Sequence, residues 1–130
     1  MVTLEDGNKM LILDKNYNVI NEAATGEVPY GVTYTRDGSE IVVALARGKA
    51  IQVFDAKTLE LKREMPVGER CWHFSFTPND KKLIVACGRR NNILVLDYAT
   101  GNVIKDIPEG NMPWGVMVSP KSVGSLDIPG

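Results

Sequence analysis

The sequence predicts an all-β fold built from repeated units of short strands. The chain aligns with itself after a shift of about forty-two residues, its apolar runs have strand length, and no helical periodicity persists over eleven residues. The positions that coincide after this shift are Gly26, Gly68 and Gly110, then Tyr30, Trp72 and Trp114, then Thr35, Thr77 and Ser119. A period of roughly 40 to 50 residues with several short strands per copy is typical of β-propeller blades.

The first unit is incomplete at its start. Residues 1–5 (MVTLE) alternate as a strand does, residues 5–8 (EDGN) predict a tight turn, and residues 9–14 (KMLILD) predict a second strand. A third strand follows at VINEAA. Residues 1–14 align with residues 42–55, so the chain begins partway through a unit.

The next two units are complete. The second contains the strands VTYT, IVVALA, IQVFD and LELKREM, and the third contains WHFSFT, KLIVAC, NILVLD and VIKDIP. The turns between them carry Gly, Pro, Asn and Asp, which favour tight reversals. PWGVMVS then begins a fourth unit, and we predict propeller blades over residues 1–121 and an irregular tail over residues 122–130.

The order of the strands predicts three four-stranded blade equivalents that are cut inside a blade. We label the strands of a blade A to D from the inside outward. The predicted strands then follow one another along the chain in the order B-C-D, A-B-C-D, A-B-C-D, A. Propellers have about four to eight blades, so three cannot close a ring. Two solutions remain open. A second chain could bind head to tail and complete a six-bladed homodimer, or the sequence could be a piece of a longer propeller.

Composition excludes several classes of protein. The chain has 15 Lys and Arg against 16 Asp and Glu, so its charge does not predict a nucleic-acid binder. The longest apolar runs, at 41–46 and 83–87, are too short to span a bilayer. We expect a secretory leader to be absent or removed, because Met1 leads directly into alternating residues.

Residues 68–120 carry a more specific resemblance. A Pro-aromatic-Gly start, a Thr-Pro-Asn-Asp turn, an aliphatic strand, an aliphatic-Asp ending before Thr100-Gly101, and an Ile-Pro-x-Gly close lie at the spacing of a known repeat. The chain resembles the YVTN-type β-propeller repeat over about residues 1–120. It departs from that pattern at Arg36, where the repeat has Pro, and at Asp80, where it has Gly.

The resemblance implies a fold more firmly than a function. Propellers of this type include surface-layer proteins, quinone-cofactor-associated periplasmic proteins and the haem-binding propeller of cytochrome-type nitrite reductases. It therefore implies a periplasmic or extracellular protein. It also implies that a ligand binds on the face that carries the D-to-A and B-to-C loops.

Basic residues are concentrated in the loops of that face. The candidate ligand-binding residues are Arg47, Lys49, Arg70, His73, Arg89, Arg90 and Asn91. Guanidinium groups suit carboxylates and phosphates, which predicts a small anionic ligand or an acidic protein partner. A solvated, charged rim is the alternative, and Glu27 and Glu69 would weaken the positive field.

The third unit differs from its neighbours where its first strand begins. It has Cys71 where the others have Pro and His73 where they have Gly. His73 is the only histidine of the chain. It could ligate a haem iron or gate the mouth of the propeller tunnel, and the alternative is a hydrogen-bonded filler.

The two cysteines fall on neighbouring predicted strands. Cys71 and Cys87 lie opposite each other or one step apart, so a disulfide can form if their Cα atoms are about 4.4 to 6.8 Å apart, and free thiols are equally consistent. No zinc spacing and no catalytic constellation accompanies them. We therefore expect a non-catalytic scaffold or binding module without a metal. The alternatives are a haem-binding redox or maturation propeller and a self-assembling fragment without a ligand.

Overall fold

A computed structural model describes residues 2–4, 7–68, 70–88 and 92–108, and within these ranges the chain forms strands and no α-helix. The strands are β1 (Val2–Leu4), β2 (Lys9–Leu13), β3 (Val19–Ala24), β4 (Pro29–Tyr34), β5 (Glu40–Leu45), β6 (Ala50–Asp55), β7 (Leu61–Pro66), β8 (Cys71–Phe76), β9 (Lys82–Cys87), β10 (Asn92–Asp97) and β11 (Val103–Pro108). In these ranges no helix is long and apolar enough to cross a membrane.

The strands form three antiparallel sheets in which sequence neighbours pair. Blade 1 is β1-β2-β3, blade 2 is β4-β5-β6-β7, and blade 3 is β8-β9-β10-β11. Strand β1 contacts β4, and β5 contacts β8, so β1 lies in the second position of its blade as β5 does in blade 2. The all-β propeller segment and its B-C-D, A-B-C-D, A-B-C-D order are confirmed. The fourth predicted A strand and the predicted boundary at residue 121 lie outside the described residues.

Two strands begin more than one residue away from their predicted starts. Strand β4 begins at Pro29 rather than at Val32, because Pro29 already pairs with Leu45 and a β-bulge follows it. Strand β7 begins at Leu61 rather than at Leu59, because Leu59 has a φ of 62° and belongs to the preceding turn.

The turn after the C strand of each blade, which is β2, β6 and β10 in blades 1, 2 and 3, is closed by an aspartate. Asp14 accepts hydrogen bonds from the backbone N–H groups of Asn16 and Asn18, at 2.8 and 3.0 Å. Asp55 and Asp97 accept equivalent bonds in blades 2 and 3. These backbone hydrogen bonds lower the pKa of all three aspartates. The recurring aspartates therefore satisfy the backbone amides of their turns.

The hydrophobic core lies in the two seams between adjacent blades. Met10 of blade 1 packs with a cluster on blade 2 that includes Ile41, Val43 and Phe54. The other face of blade 2 packs on blade 3, where Phe76 is one of the largest buried side chains. Because blade 2 has a neighbour on each side, β5 is buried on both faces from Ile41 onward.

Candidate functional site

Loops of all three blades are linked along one edge of the sheets. Val28 N donates to Asn8 Oδ1 at 3.0 Å, and Ala46 N donates to the Val28 carbonyl at 2.8 Å. Arg70 N in turn donates to the Ala46 carbonyl at 2.7 Å, and Gly88 N donates to the Arg70 carbonyl at 3.1 Å. We call this edge, formed by residues 25–28, 46–49, 67, 68, 70 and 88, the loop face. The hydrogen bonds fix the spacing of its loops.

The two loops that enter a first strand share an unusual backbone conformation. Val28 has a φ of 56° and Arg70 has a φ of 57°, at positions forty-two residues apart. A positive φ is costly for both residues, and most of all for a β-branched valine. In each case the N–H group reaches the preceding blade. The strained conformation thus connects each new blade to the one before it.

The described part of the predicted basic patch lies on the loop face. Arg47 and Lys49 are exposed in the β5–β6 loop, and Arg70 is half-buried beside it through its bond to Ala46. Exposed Glu27 lies next to the same loop, since its carbonyl accepts from Gly48 N at 3.2 Å. The remaining predicted members, Arg89, Arg90 and Asn91, lie outside the described residues, as does Glu69.

His73 lies on the innermost strand of blade 3. It pairs with Ala86 just after a β-bulge, and its side chain is half-buried, whereas Trp72 and Phe74 on either side are buried. Its backbone lies against blade 2, where a Cβ on Gly31 would be 3.6 Å from the His73 Cα. Among the described residues, no three His, Cys, Asp or Glu side chains are grouped as a metal site requires.

The two cysteines lie directly opposite each other. Cys71 pairs with Cys87 across β8 and β9, their sulfurs are 2.00 Å apart, and both residues are buried. The Cα–Cα distance is 3.9 Å, which is shorter than the expected range. The bond would join the two inner strands of blade 3 directly behind Arg70 and beside the loop face.

A cavity of about 290 Å³ lies at the opposite edge, between blades 2 and 3, and was not predicted. Its lining includes Arg36, Asp37, Glu40, Phe76, Asp80 and Tyr98. The Arg36 guanidinium donates to the Asp80 carboxylate at 2.8 and 3.3 Å, which links the first turn of blade 2 to that of blade 3.

A polar network beside this cavity links the same two blades. Tyr98 Oη donates to Glu40 Oε1 at 2.7 Å, and Lys62 Nζ donates to Glu40 Oε2 at 2.6 Å. Burial alone would raise the pKa of Glu40, but these hydrogen bonds and the charges of Lys62 and Arg63 lower it below its usual value. Burial, followed by the bond to Glu40, raises the pKa of Tyr98. Tyr98 is thus held neutral as a donor.

Comparison with known proteins identifies solved structures of the same fold. No family model and no curated protein matches the sequence. Hydrazine synthase of Kuenenia stuttgartiensis is similar with a TM-score of 0.78 and 23% identity, over 85% of this chain and 33% of that one. The dihydro-heme d1 dehydrogenase NirN, in complex with DHE, has a TM-score of 0.73 and 15% identity, over 89% of this chain and 26% of that one.

A third similar structure is the β-propeller domain of Cps50 (Swd1) from Myceliophteria thermophila. Its TM-score is 0.64 at 16% identity, over 75% of this chain and 30% of that one. The chain thus spans a third or less of the length of each of these three structures. At these identities the similarity shows the fold alone, and the YVTN-type assignment stays a prediction. The structural similarity and the three antiparallel sheets together show that the chain is a β-propeller segment.

Proposed function

We propose that this propeller segment is a non-catalytic binding module whose loop face receives an anionic group, carried by a small ligand or by a protein partner. The observation that carries the proposal is the run of hydrogen bonds from the Asn8 side chain to the Gly88 backbone. It holds Arg70 next to the loop that carries Arg47 and Lys49. Cations on loops of fixed spacing lose little conformational freedom when an anion binds.

Electrostatics supports an anion rather than a cation as the ligand. Arg47, Lys49 and Arg70 contribute three positive charges to adjoining loops, and Glu27 is the described carboxylate beside them. The chain as a whole has a formal charge of −1, so this positive field is local. A local positive field on a nearly neutral protein attracts an anion to one site rather than to the whole surface.

The test uses two defined probes, inorganic phosphate and a hexa-aspartate peptide. We expect the Arg47→Glu, Lys49→Glu double variant to weaken binding of the better probe roughly tenfold in isothermal titration calorimetry, and the parent to bind more weakly at higher salt. Lys15→Glu, Lys57→Glu is the matched control, because both lysines are exposed at the opposite edge. Equal affinities in the two double variants would reject the loop face as the site.

Haem binding is the second candidate function, and the similarity to NirN in complex with DHE favours it. The residues fit it only in part. His73 supplies one partly exposed ring that could serve as an axial ligand. The cavity between blades 2 and 3 is lined by residues of the opposite edge and does not include His73. If haem binds, His73 holds its iron and haem supplies the redox chemistry.

Absorption spectroscopy separates the two functions. We expect hemin added to the protein to give no saturable Soret shift, or one that the His73→Ala variant reproduces. A saturable shift that disappears in His73→Ala would instead support the haem-binding alternative. Lys49→Ala is the control, because Lys49 is exposed on the same face and the haem-binding alternative assigns the iron to His73.

We further propose that the chain associates with itself, two copies head to tail forming a six-bladed ring around a twofold axis. In a closed ring every propeller blade packs against another blade on both of its faces. In the described residues, β1 pairs with β2 on one side and has no strand on the other. Association would also place two loop faces on one ring. The oligomeric state of the chain in solution is the measurement that decides this.

A further inference from the structure

The far side of blade 3 carries an apolar face. Side chains alternate along each strand, so those of β9, β10 and β11 that do not face blade 2 point to this far side. Leu83, Val85, Leu94 and Leu96 are buried toward blade 2. The apolar side chains at the alternating positions are partly exposed and form what we call the far face: Ile84, Ile93, Val95 and Ile107.

The far face repeats a surface that already forms a seam between blades. Besides Ala44, blade 2 contributes four larger apolar side chains to its seam with blade 3: Val42, Ile51, Val53 and Met65. Adding the repeat length of forty-two residues to these positions leads to Ile84, Ile93, Val95 and Ile107, in the same order. Blade 3 therefore presents on its far side the kind of surface on which another blade packs.

Blade 1 has the complementary open side. Met10 and Ile12 pack against blade 2, so Leu11 and Leu13, which alternate with them, face the other way. Both leucines are partly exposed. Leu13 aligns with Phe54, which receives blade 1 on the corresponding side of blade 2. We call the side that carries Leu11 and Leu13 the open face.

We infer that the far face of one copy of this chain binds the open face of blade 1 in a second copy. This inference rests on the proposed self-association and names the surfaces that form it. In stacked repeats a terminal unit that ends the stack carries a polar outer face. The far face instead carries four aliphatic side chains, and the open face carries Leu11 and Leu13 beside the ion pair of Lys9 and Glu22. The far face repeats the surface of blade 2 that packs on blade 3, so a propeller blade is the partner that fits it. Blade 1 of a second copy is such a blade.

The test is sedimentation equilibrium of the 130-residue chain and three variants. We expect the parent to dimerise, and Ile93→Asp on the far face and Leu13→Asp on the open face each to raise the dimer Kd roughly tenfold or more. Ile104→Asp is the matched control. Ile104 is 50% exposed on the other face of β11. The dimer Kd of the Ile104→Asp variant should therefore stay within about threefold of the parent value.

The outcomes separate the inference from the proposal on which it rests. A parent that stays a folded monomer at about 100 µM overturns both. A dimeric parent whose Kd is unchanged in folded Ile93→Asp overturns the far face and leaves self-association standing. If circular dichroism shows Ile93→Asp to be unfolded, Val95→Thr, which keeps the side-chain shape, takes its place. An unchanged Kd for Val95→Thr then overturns the far face.

Discussion

At the scale of single residues, positive φ angles recur at one place in each blade although the side chains there differ. Tyr17, Leu59 and Gly101 lie forty-two residues apart and have φ angles of 66°, 62° and 77°. Only glycine adopts this conformation without a steric penalty. The backbone geometry of the turn is thus imposed by the repeat, and Tyr17 and Leu59 carry the strain that Gly101 avoids.

Replacing Tyr17 by glycine should therefore stabilise the protein. The side chain is 84% exposed, so the variant loses little packing, and we expect the free energy of unfolding to rise by about 0.5 to 1 kcal/mol in urea titrations. Ile20→Gly is the control. Ile20 is also exposed in blade 1 but lies within β3, where glycine should destabilise. A destabilised Tyr17→Gly variant would show that the turn is not strained.

Asp37 should make part of the stability dependent on acid pH. Hydrogen bonds from Ser39 N, then from the Thr35 and Ser39 hydroxyls, lower the pKa of Asp37 to about 2. The folded-state pKa lies below the unfolded value of about 4, so the contribution is present above pH 4 and is lost as the pH falls toward 2. Asn79 occupies the equivalent turn of blade 3, where it accepts from Thr77 Oγ1 and Lys81 N at 2.7 and 3.0 Å.

Asp37→Asn should keep those turn contacts and remove the titration. We expect its stability at pH 7 to be close to that of the parent, and its loss of stability between pH 5 and pH 3 to be smaller. Thermal unfolding at the three pH values measures both quantities. An acid dependence identical to that of the parent would contradict the assignment to Asp37.

At the scale of the elements, the inner strands of blades 2 and 3 meet backbone to backbone. A Cβ placed on Gly31 would be 2.7 Å from the Trp72 carbonyl oxygen, so β4 and β8 could not keep their present distance. We expect Gly31→Ala to lower the free energy of unfolding by about 1 to 3 kcal/mol in urea titrations. Thr33→Ala, on the same strand, should cost less. Parent-like stability in Gly31→Ala would mean that the two strands can separate freely.

The pairing of Cys71 with Cys87 stays a prediction that chemistry can test. We expect the protein unfolded without a reductant to expose no reactive thiol, and its intact mass to rise by two hydrogens after reduction. Because the bond would close a loop of 16 residues, reduction should cost about 2 to 4 kcal/mol of stability. Two titratable thiols in unfolded, unreduced protein would show that the cysteines are free.

At the scale of the whole molecule, the described part of blades 2 and 3 is joined by an apolar seam and by polar contacts at both edges of the sheets. The network around Glu40 joins blades 2 and 3, and Glu40 is only 12% exposed. Tyr98→Phe removes the donor at 2.7 Å and should cost about 1 to 2 kcal/mol, measured by urea unfolding. Tyr34→Phe is the control, because Tyr34 is 38% exposed. Equal losses in the two variants would argue against a specific role for the network.

Tyr98 should also limit stability at high pH. Burial raises its pKa above the unfolded value of about 10, so the neutral tyrosine stabilises the fold below pH 10, and this contribution is lost as the pH rises further. Tyr98→Phe should lack that part of the alkaline dependence. Unfolding at pH 8 and pH 11 compares the two proteins, and identical alkaline losses would contradict the assignment.

The repeat made the blades predictable and left the contacts between them unpredicted. Strand order and turn aspartates recur at a fixed spacing, so each assignment in one repeat unit strengthens the same assignment in the other units. The Glu40–Tyr98 bond does not recur, because Lys82 and Ala56 occupy the equivalent positions of the adjacent blades. The positive φ of Val28 was also missed, since no side chain there signals it. The loop-face cations were expected on one edge because the resemblance to propeller repeats implies a shared ligand face for the D-to-A and B-to-C loops.

The first turns of blades 2 and 3 show what such a repeat allows. Asp37 and Asn79 hold the same backbone with the same oxygen, yet only one of them can lose a proton. An ionisable aspartate can therefore replace a neutral asparagine in the turn of one blade, or the reverse, while the equivalent turns of the other blades stay unchanged. A modular chain of this kind can adapt to a more acidic or more neutral surrounding through single substitutions, without any redesign of its architecture.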